Sequence, residues 1–315
     1  VGLALRKPPA LLPGSTIGII APAGPVAGPS CIEDGIRVLE GLGFRVVLGK
    51  HALNKNKYLA GSDPERAADI SAMFLDPRVD GVVCLRGGYG SMRLLHRIDY
   101  RIIRRSPKVL VGYSDITALQ LAIWKKAGLV TFSGPMLAPD FACAGNGHML
   151  KQFYRALTNP RPLGVIPLAP GDRGVVIKPG RARGRLLGGN LSLVTATLGT
   201  PYEINTRGAI LFLEEVNEEP YRIDRMLRQL WLAGKLQAAA GIVFGKFAGC
   251  EAVDGEESFT LLEVLRESLE GIKVPCFYGL GVGHITLKAT LPLGVMAEMD
   301  AGNCLLNIIE SATIQ

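Results

Sequence analysis

The sequence is poor in aromatic residues, at 6% of 315 residues, and modest in charge, with Asp, Glu, Lys and Arg together at 20%. Few rings means few platforms on which bases could stack, which weighs against single-stranded nucleic-acid binding. None of the six cysteines (Cys31, Cys84, Cys143, Cys250, Cys276, Cys304) lies in a Cys-x-x-Cys pair. Neither a zinc spacing nor a disulfide framework is present. Cys84 sits inside an apolar run and Cys276 borders one, so both are expected as buried small hydrophobes in a reducing compartment. No stretch of 18 uninterrupted apolar residues occurs, so no transmembrane helix and no membrane partner are expected. No secretory pattern opens the chain, and the expected location is the cytoplasm.

What is present describes a globular protein. Hydrophobic residues make up 48% of the chain, and 315 residues suit one large domain or two compact ones. The 39 glycines are many, and a good number follow apolar runs, where tight turns are expected. The net charge of +7 is spread along the chain. Its densest groups are Arg93, Arg97, Arg101, Arg104 and Arg105, then Arg181, Arg183 and Arg185, and neither is interleaved with aromatics. No nucleic-acid partner is expected; a mildly basic field suits an acidic small substrate.

Residues 16–21 form an apolar run that ends in Pro22-Ala-Gly-Pro25, a buried strand followed by a loop. Helical spacing through Ile32, Ile36, Leu39 and Leu42 follows, then a strand at 45–48. Ser62-Asp63-Pro64-Glu65 fits a capping box at the start of the next helix. Further strands are expected at 82–85, 109–111 and 129–132, with a short helix after the first and a longer one after Ser114. Strands without alternation, separated by helices, predict an open α/β domain with a parallel sheet covered on both faces, residues 1–158. Pro160, Pro162, Pro167, Pro170 and Pro179 among glycines mark 159–182 as a linker. Residues 183–315 are expected to form a second domain richer in strand, a small barrel-like sheet with helices near 220–234 and 257–270.

Val111-Gly-Tyr-Ser-Asp-Ile116 places a serine between a buried strand and a helix. A sharp turn there exposes the hydroxyl and aims backbone N–H groups at one spot, aided by the helix dipole. Ile116 stands where a Gly-x-Ser-x-Gly elbow has its second glycine, and Ser114 could equally be an N-cap. Arg86-Gly87-Gly88-Tyr89-Gly90 also joins strand to helix, as an edge loop that meets a ligand or as a plain turn. Its spacing is neither a dinucleotide fingerprint nor a P-loop. Glu214 and Glu215 end the run 210–213, where a carboxylate can hold an imidazole or simply meet solvent. Of the four histidines, His51 and His96 have no carboxylate pattern nearby and His148 starts a helix. His284 lies in a glycine-rich loop that leaves an imidazole exposed but positioned. Asn190, in Gly188-Gly-Asn-Leu-Ser192, could bind a substrate or cap a helix. Met226, Leu227, Leu230 and Trp231 are expected in the core.

These segments together resemble the LD-carboxypeptidases, the muramoyl-tetrapeptide carboxypeptidase family of serine peptidases, which includes the microcin C self-immunity hydrolases. The resemblance runs nearly end to end. It rests on Ile17-Gly-Ile-Ile-Ala-Pro22, Arg86-Gly-Gly-Tyr-Gly90, Gly112-Tyr-Ser-Asp-Ile-Thr117, Gly188-Gly-Asn-Leu-Ser192, Leu213-Glu-Glu215, Tyr221-Arg-Ile-Asp-Arg225 and His284 with Leu291-Pro-Leu-Gly294. It implies a flavodoxin-like N-terminal domain, a β-barrel-like C-terminal domain and a homodimer. It implies a triad of Ser114, Glu214 (Glu215 as fallback) and His284, with the backbone N–H groups of Asp115 and Gly88 as oxyanion donors. Substrate contacts are expected from Arg86, Gly87, Tyr89 and Asn190, with Arg86 a candidate for the terminal carboxylate. The implied reaction releases terminal D-alanine from murein tetrapeptides during peptidoglycan recycling, with no metal or cofactor. Cleavage of an aminoacyl-nucleotide amide and non-catalytic ligand binding are the alternatives.

Overall fold

The computed structural model describes residues 3–26, 28, 30–142, 147–168, 171–252 and 257–315. Cys143 and Pro170, named above, lie outside the described residues. The chain divides into two compact units. The first comprises Val1–Pro162, Thr290–Gly294 and Ser311–Gln315; the second comprises Leu163–Ala289 and Val295–Glu310.

The first unit runs β1 (Thr16–Ile20), α1 (Ser30–Gly41), β2 (Arg45–Leu48), α2 (Asp63–Leu75), β3 (Gly81–Cys84), α3 (Tyr100–Arg105), β4 (Val109–Gly112), α4 (Ile116–Ala127), β5 (Thr131–Ser133) and α5 (Gly147–Thr158). Its five strands are parallel in the order 2-1-3-4-5. β1, β3 and β4 are buried at every position, which is why they read as unbroken apolar runs. β2 is the edge and is largely exposed. α2 starts where the capping box places it: the Ser62 hydroxyl accepts from the Glu65 N–H and the Glu65 carboxylate accepts from the Ser62 N–H. On α4 Ile116, Leu119 and Ile123 are fully buried, so truncating any one to alanine is expected to cost about 2–5 kcal/mol.

The second unit runs β6 (Gly164–Ile166), β7 (Val175–Lys178), β8 (Arg181–Asn190), α6 (Leu191–Ala196), β9 (Ile210–Val216), α7 (Pro220–Leu232), α8 (Lys235–Ala238), β10 (Gly241–Ala248), α9 (Leu261–Glu267) and β11 (Cys276–Tyr278). Then β12 (Leu291–Leu293) returns to the first unit, where it pairs antiparallel with β5 and closes that edge. β13 (Met296–Asp300) and β14 (Leu305–Ile308) complete the second. Its eight strands are ordered 6-14-13-8-9-10-11-7, parallel from β8 through β11 and antiparallel outside. Among the described residues no ladder joins the end strands β6 and β7, so the sheet is mixed and its barrel is not closed.

Two boundaries differ from the sequence reading. The expected linker 159–182 contains β6, β7 and the start of β8. β6 and β7 are the half-exposed edges of the sheet, where short strands tolerate neighbouring prolines. The run 291–297 is two strands serving different units, and 311–315 also belongs to the first. Cys84 and Cys276 are buried as expected; on α7 Leu227 and Leu230 are buried, whereas Met226 and Trp231 are only partly so. No described helix is long and apolar enough to cross a membrane.

Candidate active site

In the first unit the site begins at the C-terminal end of β4. Ser114 has φ of 62°, a left-handed backbone that a non-glycine residue adopts only under local constraint. A nucleophile elbow uses a strained turn of this kind. Ile116 can stand where a second glycine was missing because the close approach is met from the other side. A Cβ on Gly112 would come within 2.9 Å of the Ile116 side chain. Ser114 is partly exposed on this turn, and α4 starts two residues later, its N-terminus beside the hydroxyl. The elbow is therefore both exposed and electropositive.

The loop after β3 lies against this turn. A Cβ on Gly87 would sit 3.1 Å from Ser114 Cβ and 3.2 Å from its Oγ, so only glycine lets the loop pass so near. Neither the Asp115 nor the Gly88 N–H meets an acceptor among the described residues. The Asp115 side chain has a different task. It is 2% exposed, its carboxylate accepts from the Ser91 N–H at 2.8 Å, and its carbonyl accepts from the Ser91 hydroxyl at 2.5 Å. It ties the glycine loop to the elbow, and burial raises its carboxyl above the usual carboxylate range. Arg66, itself buried, adds a second tie by donating to the carbonyls of Pro22 and Gly90.

In the second unit Glu214 and Glu215 end β9. Successive side chains on a strand point to opposite faces, and these two part accordingly. Glu214, 1% exposed, meets His284 with Oε2 at 2.7 Å from Nδ1. Its Oε1 is buried with no partner among the described residues, so the carboxylate directs its hydrogen bonding at the imidazole. Glu215 turns the other way. It accepts from Asn190 Nδ2 at 2.7 Å, from the Ser192 N–H and hydroxyl at 2.8 and 2.7 Å, and from the Val216 N–H at 3.0 Å. It is a scaffold acid, its carboxyl raised by burial, and the fallback role falls away. Asn190 is the N-cap of α6, 3% exposed, with its side-chain oxygen accepting from the Leu193 N–H. This is the capping contact that the sequence allowed.

His284 is held by a β-bulge. The register of β10 against β9 shifts between Phe244 and Phe247, opposite Glu214. Residues at this shift grip the glycine-rich loop: Lys246 N–H donates to Val282 O at 2.9 Å, and Phe244 O accepts from the Gly279 and Leu280 N–H groups. Gly283, with φ of 109°, passes so close to Glu214 that a Cβ would lie 3.0 Å from Oε2. Bulges next to a functional side chain serve to aim it.

Residues 17–134 match the LD-carboxypeptidase N-terminal domain, and residues 183–299 match the LD-carboxypeptidase C-terminal domain. The chain belongs to the LD-carboxypeptidase family. The chain is 44% identical over 295 residues to a probable murein peptide carboxypeptidase of Bacillus subtilis, covering 93% of this chain and 91% of that one. Its structure superposes on the microcin C7 self-immunity protein MccF in complex with glutamyl sulfamoyl guanosine with a TM-score of 0.90, at 28% identity over 98% of this chain and 99% of that chain. It superposes on the muramoyltetrapeptide carboxypeptidase of Oxalobacter formigenes with a TM-score of 0.84, at 32% identity over 95% of this chain and 100% of that chain. The two-domain α/β architecture and a peptidase activity follow from this membership.

The first unit also holds a pairing that sequence spacing did not reveal. His51, read as lacking a carboxylate, has Nδ1 at 2.8 Å from Asp69 on α2, 18 residues away. A helix and a loop brought together by the fold leave no local pattern to read. Arg86 donates to Pro25 O at 2.9 Å, and Gly88 and Tyr89 are exposed on the same loop. Among the described residues no group of three or more His, Cys, Asp or Glu could hold a metal ion.

Proposed function

We propose that this LD-carboxypeptidase releases terminal D-alanine from murein tetrapeptides through a Ser114–His284–Glu214 triad. The observation that carries the reading is the pairing of buried Glu214 with half-buried His284. A carboxylate accepting from Nδ1 fixes Nε2 as the basic nitrogen and stabilises the imidazolium that forms in acyl transfer. The left-handed Ser114 turn supplies a nucleophile of the matching kind. Ser114 Oγ attacks the amide carbonyl as His284 takes its proton. The N–H groups of Asp115 and Gly88 hold the tetrahedral oxyanion. The C–N bond breaks, His284 returns the proton to the leaving amine, and water then hydrolyses the acyl-enzyme. The substrate class is supported by relatives named for murein peptides. A homodimer working in the cytoplasm on recycled peptidoglycan completes the reading.

A second reading, cleavage of an aminoacyl-nucleotide amide, is favoured by the match to MccF with its sulfamoyl guanosine ligand. The test assays D-alanine release from a murein tetrapeptide beside cleavage of an aminoacyl sulfamoyl adenosine. The tetrapeptide is expected to be cut, with Ser114→Ala slowing turnover by about 10⁴-fold or more. Near wild-type turnover in that variant would remove the triad, and cleavage of the nucleotide conjugate alone would favour the second reading.

A further inference from the structure

We propose that Lys55, Lys57 and Arg86 form a carboxylate-binding subsite that reads the free carboxylate of the residue this enzyme releases. This rests on the carboxypeptidase reading above. The three cations line one cavity of about 730 Å³, contained in the first unit. Its walls come from the segments after β1, β2 and β3: residues 24–26, 55–58 and 86–89. With strands ordered 2-1-3, these are the carboxyl ends that flank the reversal of strand order, where open α/β sheets place their ligands.

The cavity is built, not incidental. Gly24 N–H donates to Gly87 O at 3.1 Å, and Ala60 N–H to Ala23 O at 3.0 Å, so backbone bonds lace the three segments together. Asn56 and Leu59 exchange backbone bonds of 2.8 and 3.0 Å around a tight turn, and Lys57 at its tip has φ of 57°. No carboxylate is among the described residues lining the cavity, and neither lysine has an ion-pair partner among the described residues. Lys55 and Lys57 are exposed, and with Arg86 they give the cavity a positive field that suits an anionic ligand.

The chemistry favours a peptide carboxylate. Gly88 lines this cavity, and its neighbour Gly87 lies against Ser114, so one loop serves both the cavity and the Ser114 turn. The exposed rings of Tyr58 and Tyr89 contact each other at 5.9 Å, tilted by 59°. They form an amphipathic wall but no parallel slot into which a base could slide. An enzyme that removes one terminal residue must distinguish a free carboxylate from a continuing chain, and a cationic pocket beside the nucleophile loop makes that distinction.

The test uses the full chain carrying Ser114→Ala, which leaves peptide intact, and titrates it calorimetrically with a murein tetrapeptide as free acid and as C-terminal carboxamide. Adding Lys55→Ala and Lys57→Ala is expected to weaken binding of the acid about tenfold or more and of the amide less than about twofold. Lys57→Glu is expected to weaken the acid further. In an otherwise wild-type chain the lysine changes are expected to raise KM for the acid with kcat within about threefold. Unchanged affinity for the acid, or equal loss for acid and amide, would overturn the assignment. Lysine-dependent binding of adenosine monophosphate with none of the acid peptide would also overturn it. Should the wild-type enzyme release no D-alanine while lysine-dependent acid binding persists, the reaction assigned above fails and the subsite stands.

Discussion

Replacing two adjacent glutamates, one at a time, is expected to separate chemistry from stability. Glu214 and Glu215 are both nearly fully buried at the end of β9, yet they face opposite ways. Glu214→Gln keeps the volume and removes the charge opposite His284 Nδ1, where the present contact is 2.7 Å. The carboxylate matters most when the ring becomes an imidazolium, so the loss falls on the transition state. The expected fall in kcat is about 10³–10⁴-fold, or ~4–5.5 kcal/mol, with KM within about threefold. Because a buried charge is removed, thermal stability is not expected to drop. Glu215→Gln does the reverse. It replaces one oxygen of a carboxylate that accepts four hydrogen bonds with an amide NH₂ that can accept none. With hydrogen bonds to charged groups at ~1.5–3 kcal/mol each, partly offset by relief of desolvation, the expected loss of stability is about 2–4 kcal/mol. Its kcat is expected to stay within about threefold of wild type. Saturating D-alanine release and denaturant unfolding of both variants give the two axes. If Glu214→Gln keeps more than about a tenth of wild-type kcat, or if the two variants exchange behaviours, the assignment of Glu214 to the imidazole is wrong.

Gly87→Ala is expected to lower kcat about 3–30-fold by displacing the Ser114 hydroxyl a few tenths of an ångström, whereas Gly41→Ala, with open space around it, leaves kcat unchanged. Single-turnover kinetics on both decide the point, and an unaffected Gly87→Ala would refute the close approach. Burial raises the Asp115 carboxyl, so its contribution to stability is present below the ordinary carboxylate pKa and is lost as pH rises through the raised value. Asp115→Asn is therefore expected to gain on wild type as pH rises from about 4 towards neutrality, read as the difference in Tm at each pH; a widening deficit would contradict it. Burial pushes the Cys250 thiol up to about 11, so at pH 8 roughly one molecule in a thousand carries the thiolate. Iodoacetamide labelling of Cys250, followed by peptide mass spectrometry, is expected to lag far behind a free thiol, and labelling at the free-thiol rate would refute its burial.

The central strands of the first unit were legible because they are buried on both faces and so carry uninterrupted apolar runs. The start of α2 was legible because Ser62 and Glu65 solve its end effects locally. Ser114 and His284 read as candidates because each lies in a glycine-flanked turn after a strand. The residues alone left Glu214 and Glu215 open, since a one-residue offset on a strand decides which face each meets; the family resemblance put Glu214 first, and that is the one paired with His284. The His51–Asp69 pair and the bulge at Phe244–Phe247 arise from contacts across the fold, and no spacing announces them. β6 and β7 were taken for linker because edge strands are short, half-exposed and tolerant of proline. The run 291–297 looked like one strand because both of its parts are apolar, though they end in different sheets.

The path of the chain has a consequence for how this protein can be cut. β12 and the last five residues serve the first unit although more than 120 residues intervene between them and Pro162. A fragment stopped near residue 162 would leave β5 with a row of bare peptide groups, an invitation to pair with another molecule. Such a fragment is expected to aggregate on expression and to recover solubility when a segment spanning 290–294 is grafted to its end. Shuffling the two halves among relatives as interchangeable modules would meet the same obstacle, because the strand that completes the first half travels with the second.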